Sequence, residues 1–169
     1  MKENKEHLYK NLKKMISFLS ILIWMAIIFF MSSMSSLDSN YKSKKIIAKV
    51  VDSTQIINDE KKNSIQQYQL VNDLNKPLRK FAHAFFYLVL GILIINYEFL
   101  NDKCQSGKIL TSIFLCFLYA CTDEFHQLFV VGRTGQFSDV VIDTFGATFG
   151  CLIYYRLFKN HKKLLIYQK

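Results

Sequence analysis

Two strongly apolar stretches between Tyr119 and Gly150 carry Asp123, Glu124, Gln127, Arg133, Asp139 and Asp143. A carboxylate inside a hydrocarbon-length segment costs roughly 2.5 to 3.5 kcal/mol on insertion scales, so it faces a partner, a cavity or water and marks a working site. Upstream stand Arg79, Lys80, His83 and Tyr87. These types allow two chemistries. His83 can act as acid or base with Asp123, Glu124, Asp139 or Asp143 as its carboxylate partner. Arg79, Lys80 and Arg133 can hold a phosphate, and arginine does so better than lysine because its planar fork binds two oxygens at once.

Charges in such company need elements to carry them. The chain has 169 residues, 51% hydrophobic and 15% aromatic, with a formal net charge of +9. That is too apolar for a basic soluble domain. Four segments approach the roughly 20 residues a helix needs to cross a bilayer core of about 30 Å. They lie at 15–34, 78–97, 108–127 and 137–158. Phe, Leu and Ile dominate them without strand-like alternation, and backbone groups cannot be left open in lipid, so the expected fold is an all-α integral membrane protein. The first segment also has the Lys-rich start and the small residues Ser32, Ser33, Ser35 and Ser36 of a secretory leader, but its apolar run is longer than a leader's. The membrane domain is therefore expected over 15–158, between basic tails at 1–14 and 159–169, with a loop at 35–77.

Lys2, Lys5, Lys10, Lys13 and Lys14 precede the first helix, and Arg156, Lys159, Lys162, Lys163 and Lys169 follow the last, which predicts both termini on the cytoplasmic side of a plasma membrane. The 35–77 loop then lies outside despite its seven lysines, which are interleaved with Asp38, Asp52, Asp59, Glu60 and Asp73. Ile46, Ile47, Val50 and Val51, and further on Ile65, Tyr68 and Val71, repeat at helical spacing and predict two short amphipathic helices on the outer surface. Asn75 and Pro77 read as the start of the second membrane helix. Basic residues at membrane edges suit anionic lipids and give no case for nucleic acid. Cys104, Cys116, Cys121 and Cys151 form no C-x-x-C pair and read as small packing residues. The chain has no H-E-x-x-H, G-x-S-x-G or Gly-rich phosphate loop either, so no metal or other cofactor is expected.

With four spans, the start of helix 2, the end of helix 3 and the start of helix 4 share one side, and the polar residues lie there. Lys80, His83, Tyr87 and Gly91 form one helical stripe. Ser112, Cys116, Tyr119, Asp123 and Gln127 form a second, and Asp139, Asp143, Gly146, Gly150 and Tyr154 a third. Cations at a helix N-terminus and carboxylates near a C-terminus are each mildly unfavourable alone, so Arg79, Lys80 and Arg133 are expected to pair with Asp123, Glu124, Asp139 and Asp143 across the helices.

The strings RKFAHAFFYLVLG (79–91) and YACTDEFHQLFVVGRTGQFSDVVIDTFGATFG (119–150), with MSSMSS ending helix 1, resemble the VanZ-like family of bacterial membrane proteins. Carried over by position, the motif residues are Lys80, His83, Tyr87, Asp123, Glu124, Gln127, Arg133, Asp139, Asp143 and Gly146. Phe86 and Val131 stand where the family often has a Glu and a Pro; the missing Glu removes one carboxylate from the site. The resemblance implies a role at the cell envelope, including reduced susceptibility to glycopeptides such as teicoplanin. Three readings stay open: a pocket for an anionic, phosphorylated lipid or glycan-lipid headgroup, a membrane-embedded hydrolase or transferase working on an envelope lipid with or without a metal, and a small transporter. The last fits least, because no internal repeat or mid-membrane charge is evident.

Overall fold

The computed structural model describes residues 2–34, 40–50, 64–100 and 107–167, with side chains over 4–34, 40–50, 69–100 and 107–157. Among the described residues five helices follow one another: α1 (Lys2–Ser32), α2 (40–50), α3 (Ser64–Leu100), α4 (Lys108–Gln127) and α5 (Phe137–Tyr167). No strand occurs among the described residues. Four of the helices contain stretches long and apolar enough to cross a membrane: Asn4–Ser32, Gln69–Leu100, Lys108–Gln127 and Phe137–Leu157. The chain is thus an all-helical, multi-pass membrane protein.

The distribution of polarity supports this. Large apolar side chains point outward along every span, Phe30, Phe81, Leu110 and Phe145 being about 70% exposed. Ser32, Ser112 and Asp143 are fully buried. A water-soluble domain does not present so much contiguous apolar surface, whereas lipid solvates it. The interior is built on Ile21, Ile28, Tyr87, Leu90, Ile94, Cys116, Ala120, Val140 and Ala147.

Because lipid is as apolar as Leu, close backbone approach and interhelical hydrogen bonds must hold the bundle. The most extensive pairing is α3 with α5. A Cβ built on Gly146 would overlap the Ala84 carbonyl, one on Gly150 the Leu88 carbonyl, and one on Gly91 the Ala147 carbonyl. Positions 84 and 88 meet 146 and 150 in the same order, so the two helices run parallel. At the far end from the charged residues, Asn96 donates to Ser17 Oγ (3.1 Å) and accepts from the Tyr154 hydroxyl (2.7 Å), linking α1, α3 and α5. Trp24 Nε1 donates to the Phe86 carbonyl (2.9 Å) and the Tyr119 hydroxyl to the Met25 carbonyl (2.7 Å).

Several expectations change, since α1 runs over Lys2–Ser32 rather than 15–34 and α5 extends to Tyr167 rather than 158. α4 begins and ends where the sequence places it, and α5 starts at the expected residue, but Pro77 lies inside α3 rather than at its start. An interior proline forfeits a helical hydrogen bond and costs about 3 kcal/mol. Packing on both sides of it opposes that cost: Ile47 of α2 clusters with Val71, Leu70 and Leu78, while Ser43 donates to Asn75 Oδ1 (2.6 Å). The first amphipathic helix of the loop thus exists as α2, whereas the second is continuous with the membrane helix. Cys104, the chain at 51–63 and the side chains of Ile65 and Tyr68 lie outside the described residues. Cys116, Cys121 and Cys151 are free thiols, the first and last buried among packed helices.

Gly146→Ala tests the parallel contact. The added Cβ has to displace the backbone of α3, so the detergent-solubilised protein is expected to lose about 1 to 3 kcal/mol of stability in thermal unfolding.

Candidate functional site

The site grows from three local features. The first is the end of α1, where Ser32 donates to Asp123 Oδ2 (2.8 Å) and Ser33 meets His126 Nε2 (3.0 Å), whose ring lies on Phe29. The second is the turn between α4 and α5. Gly132 takes φ 73°, a left-handed conformation that glycine adopts without steric penalty, and this lets the chain reverse directly before Arg133. Gly135 then passes so close to α4 that a Cβ would overlap the Glu124 carbonyl, which brings the Gln136 amide to Glu124 Oε2 (2.9 Å). The third is the parallel face of α3 and α5, which sets Lys80 Nζ at 2.6 Å from Asp139 Oδ1 and His83 Nδ1 at 3.7 Å from Asp143 Oδ2.

Charged residues therefore converge as expected, and one of the expected ion pairs forms. Lys80 finds Asp139. Arg79 instead donates to Asn40 Oδ1 (3.0 Å), which also accepts from Asn75 (3.1 Å). Arg133 contacts no carboxylate among the described residues: it donates to Gln127 Oε1 (3.2 Å) and to the carbonyls of Met34 (3.1 Å) and Met31 (3.4 Å). Asp123 and Glu124 are served by neutral donors, Ser32 and Gln127 for the first and the Gln136 amide for the second. Asp123 and Glu124 do lie near the C-terminus of α4, but the cations are not at a helix N-terminus. α3 starts at Ser64, so Arg79 and Lys80 lie about four turns inside the helix and feel little of its N-terminal charge. Asp139, in the first turn of α5, sits at a helix start that favours a carboxylate. The Lys80–Asp139 pair is partly exposed and contributes at most about 1 kcal/mol.

Deeper in, the polar groups lose their partners. Asp143 is 1% exposed and Asp123 3%. Among the described residues neither oxygen of Asp143, nor Asp123 Oδ1, nor the Tyr87 hydroxyl has a hydrogen-bond partner. Tyr87 is fully buried one turn below His83, its ring 6.0 Å from that of Tyr119. Above this layer a cavity of about 620 Å³ opens, walled by α3, α5 and the α4–α5 turn and rimmed by α2. Arg79, Lys80, His83, Glu124, Gln127, Arg133, Asp139 and Asp143 line it, while Asp123 and Tyr87 lie behind the wall. Burial, and after it the neighbouring Arg79 guanidinium, holds the Arg133 pKa below the usual guanidinium range.

The sequence reading overlooked Ser32, Asn40, Asn75, Lys44 and Lys76. Ser32 was signalled by its place at the end of an apolar helix on the charged side. Nothing in the loop's spacing tells that Asn40 and Lys44, on a separate short helix, reach Asn75 and the cavity.

Comparison with known proteins fits this geometry. The VanZ/LLP1 family model matches residues 17–159, from the core of α1 through the membrane part of α5. The chain belongs to the VanZ/LLP1 family. No curated protein and no solved structure matches it. Of the two positions singled out in the sequence, Phe86 packs against Trp24 of α1 at 5.6 Å between rings, and Val131 is exposed in the α4–α5 turn.

Arg133 acts as a clasp between the end of α1 and the end of α4. Lysine keeps the charge but lacks the fork, so Arg133→Lys is expected to lower stability by about 1 to 3 kcal/mol, since Gln127 and the α1 carbonyls lose their donor. Thermal unfolding of purified protein measures this.

Proposed function

We propose that this VanZ/LLP1 protein works at the bacterial cell envelope, that its cavity opens to the outer leaflet, and that it takes an anionic, phosphorylated lipid or glycan-lipid headgroup. Through that binding it reduces susceptibility to lipophilic glycopeptides such as teicoplanin. One observation carries the reading: an excess of positive charge on the cavity. Lys44, Lys76, Arg79, Lys80 and Arg133 line it against the carboxylates of Glu124, Asp139 and Asp143. The volume of about 620 Å³ lies within the range of small-molecule sites. Arg133 and Lys80 are engaged by protein acceptors and Arg79 gives one donor to Asn40, so Lys44 and Lys76, with the remaining donors of Arg79, carry most of the attraction for phosphate.

Binding is tested in phosphatidylcholine nanodiscs, by native mass spectrometry with phosphatidylglycerol or a polyprenyl phosphate as probe. Wild type is expected to retain the anionic lipid. The Lys44→Glu, Lys76→Glu double variant is expected to bind it at least about tenfold more weakly, one decade corresponding to 1.4 kcal/mol. Equal binding by both proteins removes the proposal. His83 on the cavity wall beside Asp143 favours a second reading, a hydrolase or transferase on the same lipid. Release of phosphate from the polyprenyl phosphate, or of glycerol or glycerol phosphate from phosphatidylglycerol, in the same assay would select it.

Sidedness has its own test. With the native cysteines replaced, Thr134→Cys in the exposed α4–α5 turn is expected to react with an impermeant thiol reagent in intact cells, and Lys5→Cys only after lysis. The reverse pattern inverts the topology. Thr134 is a better probe than Gly135, whose Cβ would overlap α4.

A further inference from the structure

The innermost polar layer holds more buried acid than hydrogen bonding explains. His83 from α3, Asp123 from α4 and Asp143 from α5 each offer one ligand atom, and the three atoms lie within 4.8 Å of one another. Asp143 is 99% buried, being 1% exposed, and no described residue donates a hydrogen bond to either of its oxygens. A buried carboxylate without donors is a large penalty, and a helix interior offers many positions where Asn or Ser would avoid it.

An ion pair is the first alternative. It accounts for the layer poorly: His83 Nδ1 stands 3.7 Å from Asp143 Oδ2, beyond hydrogen-bond reach, and one imidazolium cannot balance two carboxylates. A doubly charged cation can. Two ionised carboxylates and a neutral imidazole carry a charge of −2, which a divalent ion cancels inside the low-dielectric bundle.

We propose that His83, Asp123 and Asp143 form a divalent metal site at the base of the cavity. One nitrogen and two oxygen donors suit zinc or manganese. Tetrahedral zinc, with ligands at about 2.0 to 2.2 Å, holds donor atoms about 3.4 Å apart, so small side-chain rotations close the site. The supporting shell is in place. Asp123 Oδ2 is held by Ser32 and Gln127, which leaves Oδ1 for the ion. Gln127 is in turn held by Arg133. His83 and Asp143 lie on the cavity wall, so the remaining coordination positions face the cavity. Three protein ligands with an open position is the arrangement of a metal that meets a ligand, not one that only braces a fold. Spacing along the chain could not suggest the site, since its donors come from three helices. The metal proposal stands independently of the lipid reading.

The test uses metal alone. Full-length protein in detergent is stripped with chelator, then titrated with zinc or manganese chloride, with bound metal measured after desalting and thermal unfolding followed in parallel. Wild type is expected to bind one equivalent of at least one of the two metals and to unfold at a higher temperature with it. Asp143→Asn and His83→Gln are expected to lose more than about 100-fold in affinity, the upper end of what loss of a supporting residue alone produces. Asp73→Asn, on an exposed position of α3 away from the cavity, is expected to keep wild-type affinity. No stoichiometric binding of either metal by wild type, or undiminished binding by both ligand variants, overturns the site. Should Asp143→Asn fail to fold, wild type and His83→Gln decide.

Discussion

The close parallel approach of α3 and α5 is the constraint from which the rest of the molecule follows. Glycine at 91, 146 and 150 lets backbone meet backbone, and the register this sets reads as a ladder: Lys80 beside Asp139, His83 near Asp143, Ala84 against Gly146, Leu88 against Gly150. The polar rungs at one end and the apolar rungs below belong to one interface. In lipid no hydrophobic effect draws helices together, so contacts of this kind determine which faces meet. A bulkier residue at 146 would disturb packing and site together.

The second organising element is the clasp on α1. Its apolar length has no charge to direct it, yet its end is caught by Ser32 on Asp123, Ser33 on His126 and Arg133 on the Met31 and Met34 carbonyls. Carbonyls at a helix end lack helical partners, and an arginine from another segment supplies donors to them. The same arginine orients Gln127, and Gln127 orients Asp123. A residue whose type suggests ligand binding is here largely occupied in holding the binding residues still.

Much of this was legible in the sequence. The four spans follow from length and apolarity, and the three polar stripes do meet at one end of the bundle, because a helix fixes which residues share a face. The failures have physical causes. Pro77 reads as a helix start because local preference is all a single sequence offers there, whereas α2 packs across it and carries the helix through. The pairing of Arg79, Arg133, Asp123 and Glu124 with one another was inferred from charge, but each found a neutral partner closer at hand. Asn40, Ser32 and a backbone amide are invisible to an argument that counts charges. Lys44 and Lys76 were read as loop charges, since nothing in the chain announces that α2 folds over the cavity mouth.

The placement of donors and acceptors along the chain bears on how the protein is made. Three of the four carboxylates of α4 and α5 look to residues synthesised earlier, Asp123 to Ser32 of α1, Asp139 to Lys80 of α3 and Asp143 to His83 of α3 as its nearest charge partner, while Glu124 takes the later Gln136 amide. A helix carrying an unpartnered carboxylate into hydrocarbon meets the insertion penalty alone, while one that arrives beside a waiting hydroxyl or ammonium does not. The two N-terminal spans, nearly free of such groups in their apolar lengths, can therefore enter the bilayer unaided and serve as the template against which the acidic pair is laid.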